Sequence, residues 1–169
     1  SHAIDPLEEM VEKAVEMGHH YMAITDHSQS LAIAQGLSEE KLIQQIEEVK
    51  RLDEKYSEIK LLTGTECDIK SDGSLDYSDE VLEQLDWVVA SIHTGMQQDE
   101  ETITNRILEA IRNPYTRAIG HPTGRLIQKR NPYPVDLDAI FKAAAEEKVF
   151  MEINCSPSRL DLRDVDARR

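Results

Sequence analysis

Short apolar runs alternate with stretches of helical periodicity along the whole chain, and this alternation restricts the fold more than any other property of the sequence. The first helical stretch reads Asp5 as N-cap, Pro6 at N1 and Glu8 at N3. It shows Leu7, Met10, Val11, Ala14 and Val15 on one face and stops at Gly18. A second begins with Ser38 as N-cap, places Leu37 to staple onto Leu42, and turns Leu42, Ile46, Val49, Leu52 and Tyr56 inward. Ile103, Ile107, Leu108 and Ile111 form a further stripe that ends before Asn113-Pro114, and Asp136 caps a helix with Leu137, Ile140, Phe141 and Ala144 inward. Between these lie apolar runs at 21–25, 60–65, 87–92, 117–120 and 149–153. Asp72-Gly73 reads as a turn, with a short helix starting near Ser78. The last apolar run is continuous, as suits a parallel strand covered on both faces.

Five strands separated by helices predict an α/β fold with a parallel sheet built from βαβ units, either open and doubly wound or curled toward a barrel. No glycine-rich phosphate fingerprint, G-x-G-x-x-G or G-x-x-x-x-G-K, follows any strand, which weighs against the nucleotide-binding versions of the open fold. The 169 residues make one domain, yet an eight-fold barrel needs about 200 or more. The expectation is therefore part of a barrel. Hydrophobic residues at 40% are enough for a core, while no apolar run approaches the roughly 20 residues of a membrane span. Nothing near the N-terminus reads as a signal peptide, and His2 in Ser-His-Ala is read either as native or as an expression remnant. These features predict a soluble, cytoplasmic protein in which Cys67 and Cys155 stay reduced. With 33 acidic against 19 basic residues the net charge is −14, which excludes binding of nucleic acid by blanket charge neutralisation. Localised metal ions would supply the missing positive charge.

In parallel barrels the reactive groups cluster where strands end, so the residues after each apolar run carry the chemistry. Here those residues are Asp26-His27, Glu66-Cys67-Asp68, His93, His121 and Asn154-Cys155. His27, His93 and His121 are three of the six histidines, and imidazole nitrogen with carboxylate oxygen suits Zn²⁺, Mn²⁺ or Fe. A carboxylate bridges two ions whereas a histidine does not, which makes Glu66 the bridging candidate. A single histidine after a strand is ordinarily a hydrogen-bonded structural residue; the functional reading rests on several converging on one rim. His19 and His20 precede a strand and are read as structural or solvated, and Cys67 points to the side opposite Glu66, into the core. The basic run from Arg125 to Arg130, with Lys129, follows His121 closely. It is read either as a solvated face or as a phosphate contact, with Arg159 as a further candidate.

The stretches Ile24-Thr25-Asp26-His27-Ser28, Gly64-Thr65-Glu66-Cys67-Asp68-Ile69, Asp72-Gly73-Ser74-Leu75-Asp76, Ala90-Ser91-Ile92-His93, Gly120-His121-Pro122-Thr123-Gly124-Arg125 and Glu152-Ile153-Asn154 follow one another in order through nearly the whole chain. This series resembles the polymerase and histidinol phosphatase (PHP) family, and within it the C-terminal PHP domain of bacterial family-X DNA polymerases. The resemblance implies a distorted (β/α)7 barrel whose rim holds up to three ions, commonly Mn²⁺, Zn²⁺ or Fe, for phosphoester hydrolysis. In the polymerase relatives it implies a 3′-5′ exonuclease that trims DNA ends in repair. His27, Glu66, His93 and His121 match family ligand positions. By analogy Glu66, His93 and His121 share one ion, Glu66 also reaches a second, and His27 serves a third.

The resemblance also implies a first strand ending in His-x-His and a last one carrying Asp-x-His, and neither lies in these residues. The chain is thus expected to be an incomplete PHP domain retaining one ion or none, whose longer parent is the enzyme and meets DNA 3′ ends. Its open sheet edges predict pairing between copies. Two alternatives stand beside this: a histidinol-phosphatase-like monoesterase, and a non-catalytic module with a degenerate metal site.

Overall fold

The structure, a computed structural model, describes residues 5–31 and 34–169, so the reading of His2 lies outside the described residues. Five strands, β1 (Tyr21–Ile24), β2 (Lys60–Asp68), β3 (Trp87–Ser91), β4 (Thr116–Ile119) and β5 (Phe150–Met151), alternate with helices α1 (Leu7–Glu16), α2 (Glu39–Lys55), α3 (Asp79–Leu82), α4 (Glu100–Arg112), α5 (Leu137–Glu147) and α6 (Asp164–Ala167). All strand pairs are parallel and the spatial order is β1-β2-β3-β4-β5. That order decides between the two predicted architectures. A doubly wound sheet reverses direction at a switch point, whereas right-handed crossovers that always step to the next strand keep their helices on one face. The result is a curled half-barrel with flanking helices.

Two apolar clusters hold the helices to the sheet. Val11 and Ala14 of α1 meet Val49 and Leu52 of α2 over Ile24 and Leu61. On the far side of α2, Leu42 and Ile46 join Cys67, Val88, Ala90 and Ile119 from the sheet with Ile103, Ile107 and Ile111 of α4 and Ile140 of α5. The caps at Ser38 and Asp136 form as expected, with Ser38 Oγ accepting from the Lys41 amide and Asp136 Oδ1 from the amides of Asp138 and Ala139. Helix α4 has a cap the apolar stripe did not suggest, Asp99, which accepts from the Thr102 amide at 2.9 Å.

Two expectations are corrected. Helix α1 begins after Pro6, not Asp5, and no side chain caps it. The carboxylate of Glu8 is instead engaged by Lys55 at the end of α2 and Tyr56 just after it, so a capping box cannot close and α1 is tied sideways to its neighbour. Strand β5 is not covered on both faces. It is two residues long, among the described residues has only β4 beside it, and leaves Phe150 63% exposed, with Ile153 just beyond it 54% exposed. No helix among the described residues is long and apolar enough to cross a membrane.

Candidate metal centre

Strand β2 runs past residue 65 because Glu66, Cys67 and Asp68 pair with Val89, Ala90 and Ser91 of β3. Strand alternation puts Glu66 and Asp68 on one side and Cys67 on the other. Cys67 is fully buried in the apolar cluster, and burial pushes its thiol up to about 11, a packing role as expected. His27 is brought alongside Glu66 by the ladder between β1 and β2, with the Glu66 amide donating to Asp26 O at 3.0 Å and the Ser28 amide to Glu66 O at 3.1 Å. His93 follows β3, where its own amide donates to Asp68 Oδ1 at 2.9 Å and its ring Nδ1 lies 3.1 Å from the same oxygen. His121 follows β4 at a φ of +29°, and its amide donates to Glu152 Oε2. The rim therefore gathers all four residues singled out as ligands. Glu66 Oε1 stands 3.1 Å from His93 Nε2 and 3.1 Å from His121 Nε2, while Glu66 Oε2 faces His27 Nδ1 at 3.7 Å. The His93 ring meets the other two edge-on, with centroids 5.1 Å and 5.0 Å away.

This donor set fits a divalent transition metal. Ligands about 2.1 Å from a tetrahedral ion stand roughly 3.4 Å apart, and the three separations at Glu66 bracket that spacing. The donor atoms of His27, Glu66 and His93 all lie within 4.8 Å of one another. Asp68 occupies His93 Nδ1 and leaves Nε2 facing Glu66, the outer-shell arrangement that orients ligating imidazoles. At His121 the ring Nδ1 is buried with no hydrogen-bond partner among the described residues, so Glu152 orients that residue through its backbone instead. The two oxygens of Glu66 face different imidazoles, as a bridging carboxylate requires.

Electrostatics bind the centre together even without an ion. Burial alone would raise the Glu66 carboxyl, but hydrogen bonds from His121 and His93 and the charge of His27 hold it well below the usual carboxylate range. Burial would lower His93, yet Asp68 and Glu66 raise it to about 9. A group raised in the folded state stabilises fully below its unfolded value near 6.5 and loses that contribution as pH climbs through the folded value. Metal-free protein is therefore expected to lose on the order of 1–3 kcal/mol between pH 6 and pH 9.5, measured by chemical denaturation after dialysis against EDTA. Equal stability at the two pH values would mean that His93 is not held between the two carboxylates.

The basic candidates divide. Arg130 is half-buried, donates from Nε to Gly124 O at 2.7 Å, and is held below its ordinary pKa by burial and by the nearby charge of Arg159. Arg159 reaches Arg125 O at 3.5 Å and Arg125 reaches Leu160 O at 3.4 Å, so these three lie on two loops that touch. Arg130 also lines a cavity of about 720 Å³ that opens at His93 between Met96 and Tyr133. Lys129 is exposed on the 126–130 turn and does not line that cavity.

Sequence reasoning did not assign roles to three acids that shape this rim. Asp68 carried a readable signal, its i, i+2 relation to Glu66 on one strand face. Glu152 and Asp161 carried none, because their partners are 31 and 38 residues away in the chain. Asp161 is fully buried and accepts from the Thr123 amide at 3.1 Å, the Thr123 hydroxyl at 2.8 Å and the Arg125 amide at 3.3 Å. Asp161→Ala strands those donors and is expected to lower unfolding free energy on the order of 3 kcal/mol. A loss of unfolding free energy of less than a third of that, read by chemical denaturation, would show that the loop is held from elsewhere.

The PHP domain profile matches residues 1–156. The "DNA polymerase/3'-5' exonuclease PolX" of Bacillus subtilis (strain 168) is 44% identical over 157 residues, covering 93% of this chain and 28% of that protein. A protein named as a probable phosphatase from Thermoanaerobacter sp. (strain X514) is 33% identical over 159 residues, covering 92% of this chain and 60% of its own length. The chain thus spans under a third of the first relative's length and about three fifths of the second's. In fold it is similar to the crystal structure of histidinol phosphate phosphatase from Lactococcus lactis subsp. lactis Il1403, solved with zinc, L-histidinol and phosphate. The TM-score is 0.55 at 16% identity, over 90% of this chain and 68% of that one.

Proposed function

The chain belongs to the PHP domain family, and from that premise we propose that His27, Glu66, His93 and His121 hold divalent ions, Mn²⁺, Zn²⁺ or Fe, for the hydrolysis of phosphoesters. The observation that carries this reading is the single carboxylate oxygen, Glu66 Oε1, placed 3.1 Å from two imidazole nitrogens at the end of a buried strand. When bound, such ions neutralise phosphoryl charge and activate water. The protein's own part is positional: Asp68 fixes His93, Glu152 fixes His121, and Glu66 spans the centre. Arg130, with Arg125, Lys129 and Arg159, contacts the substrate's phosphates beside the cavity at His93.

The substrate is a DNA 3′ end presented within a longer family-X polymerase, a reading supported by the 44% identity to a protein named as a polymerase and 3′-5′ exonuclease. A surface of net charge −14 meets DNA only where metal and arginines offset that charge. A second reading, hydrolysis of small phosphate monoesters, is favoured by the 33% identity to phosphatases, of which the chain covers more. The test is Mn²⁺-dependent shortening of a 5′-labelled single strand, run beside release of phosphate from L-histidinol phosphate. Shortening of DNA supports the first reading, and monoester hydrolysis alone supports the second. Bound metal with neither reaction indicates a non-catalytic metal module. Failure to bind metal overturns the proposal.

A further inference from the structure

Arg106 of α4 is 2% exposed, a guanidinium set among Ile103, Ile107 and Ala110 on the buried face of its helix. Its five N–H groups make five hydrogen bonds. Nε donates to Lys70 O at 3.0 Å, Nη1 to Gly95 O at 3.3 Å and to Gln98 Oε1 at 2.5 Å, and Nη2 to Ile69 O at 2.6 Å and to Thr94 O at 3.2 Å. Every acceptor is neutral, and the carboxylates of Asp68 and Asp72 act on the guanidinium only through space. Burying such a charge is costly, and a well-packed apolar side chain commonly serves stability as well or better. What the planar fork supplies that an apolar group does not is fixed direction.

The four backbone acceptors fall in two places. Ile69 and Lys70 immediately follow Asp68, and Thr94 and Gly95 immediately follow His93. Nη2 alone touches both segments. The approach is close enough that a Cβ on Gly95, whose φ is +66°, would lie 3.0 Å from Nη1. We propose that Arg106 is a positioning residue for the metal centre: it clamps the segment after Asp68 to the segment after His93 and so sets the Asp68–His93 contact that aims His93 Nε2 at Glu66. Through Gln98 and Gly95 it also fixes the loop that forms one wall of the cavity at His93. This deepens the metal reading of the same centre, and the metal-free measurement below stands without that reading.

The experiment compares the unaltered chain with Arg106→Met, which keeps volume, and Arg106→Lys, which keeps charge and some donors. Mn²⁺ affinity is read by titration calorimetry. In metal-free protein, amide hydrogen exchange is read at His93, whose amide donates to Asp68, and at Ile107 and Ala110 within α4. Arg106→Met is expected to weaken Mn²⁺ binding about 10-fold to 100-fold, the range for lost outer-shell support. It should also strip protection from the His93 amide while α4 stays protected, and Arg106→Lys should recover part of both. Unchanged affinity and unchanged His93 protection in the Met variant would overturn the proposal. So would a protection loss spread evenly over α4, which marks a general structural role. If the Met variant does not fold, Gln98→Ala removes one of the five bonds and must show a smaller loss in the same direction at His93; no loss there overturns the proposal. If the unaltered chain binds no Mn²⁺, the metal reading fails while the exchange result still decides the clamp.

Discussion

Glu66→Ala is expected to remove bound metal outright, leaving affinity lower by more than about 100-fold, beyond the range that loss of an outer-shell group produces. The reason is geometric. Glu66 supplies the oxygen 3.1 Å from both His93 Nε2 and His121 Nε2 and a second oxygen facing His27, so its removal deletes a donor at every point where imidazoles converge. The metal-free fold also suffers, because His93 and His121 lose the anion they face. Breaking a buried charged contact from one side costs about 3 kcal/mol. Glu66→Gln separates the two effects: the amide keeps the shape and a hydrogen-bonding oxygen but not the charge. It should retain most of the stability and still lose metal. Elemental analysis of the dialysed variants, with His93→Ala in parallel and Glu47→Ala as an exposed control, checks the claim. Metal retained at the unaltered stoichiometry in Glu66→Ala would dissolve the centre as described.

The parallel half-barrel was readable in the chain because its causes are local. The buried strands β2 and β3 are apolar runs set between helices whose caps, Ser38 and Asp136, write their own starts. The candidate ligands were readable for a related reason: in a parallel sheet the residues just beyond each apolar run share one rim, and His27, Glu66, His93 and His121 all occupy that place. What was not readable depends on partners distant in sequence. Whether an apolar run is covered twice depends on what lies beyond it, and among the described residues only β4 flanks β5, so Phe150 and Ile153 are exposed. Glu8 fits a capping box until Lys55 arrives from another helix. Asp161 looks like part of a polar tail, yet it holds the loop after His121 from the inside. Arg106 lies between these cases. It interrupts an apolar face at the i, i+3, i+4, i+7 positions Ile103, Arg106, Ile107 and Ala110, a visible flag whose acceptors only the fold reveals.

Gly120→Ala should damage both the fold and the centre. Gly120 joins β4 to His121 and lies so close to β3 that an added Cβ would fall 2.3 Å from Ser91 Oγ and 2.9 Å from Val89 Cγ1. Neither neighbour is the loose end of a long side chain, so the strands must part. Overpacking of this kind costs about 1–3 kcal/mol, and here the displacement also carries His121 away from Glu66. Metal affinity should therefore fall together with stability. The clash has a specific remedy, since Ser91 Oγ is buried with no hydrogen-bond partner among the described residues. Removing it forfeits no hydrogen bond, so Ser91→Ala alone should stay within about 0.5 kcal/mol of the unaltered protein. Combined with Gly120→Ala it should restore more than half of the lost stability, a coupling that a double-mutant cycle of denaturation midpoints measures directly. Additive effects in that cycle would place the obstruction at Val89 instead. Gly120→Ala with unaltered stability and metal affinity would mean that the two strands do not approach as closely as the glycine implies.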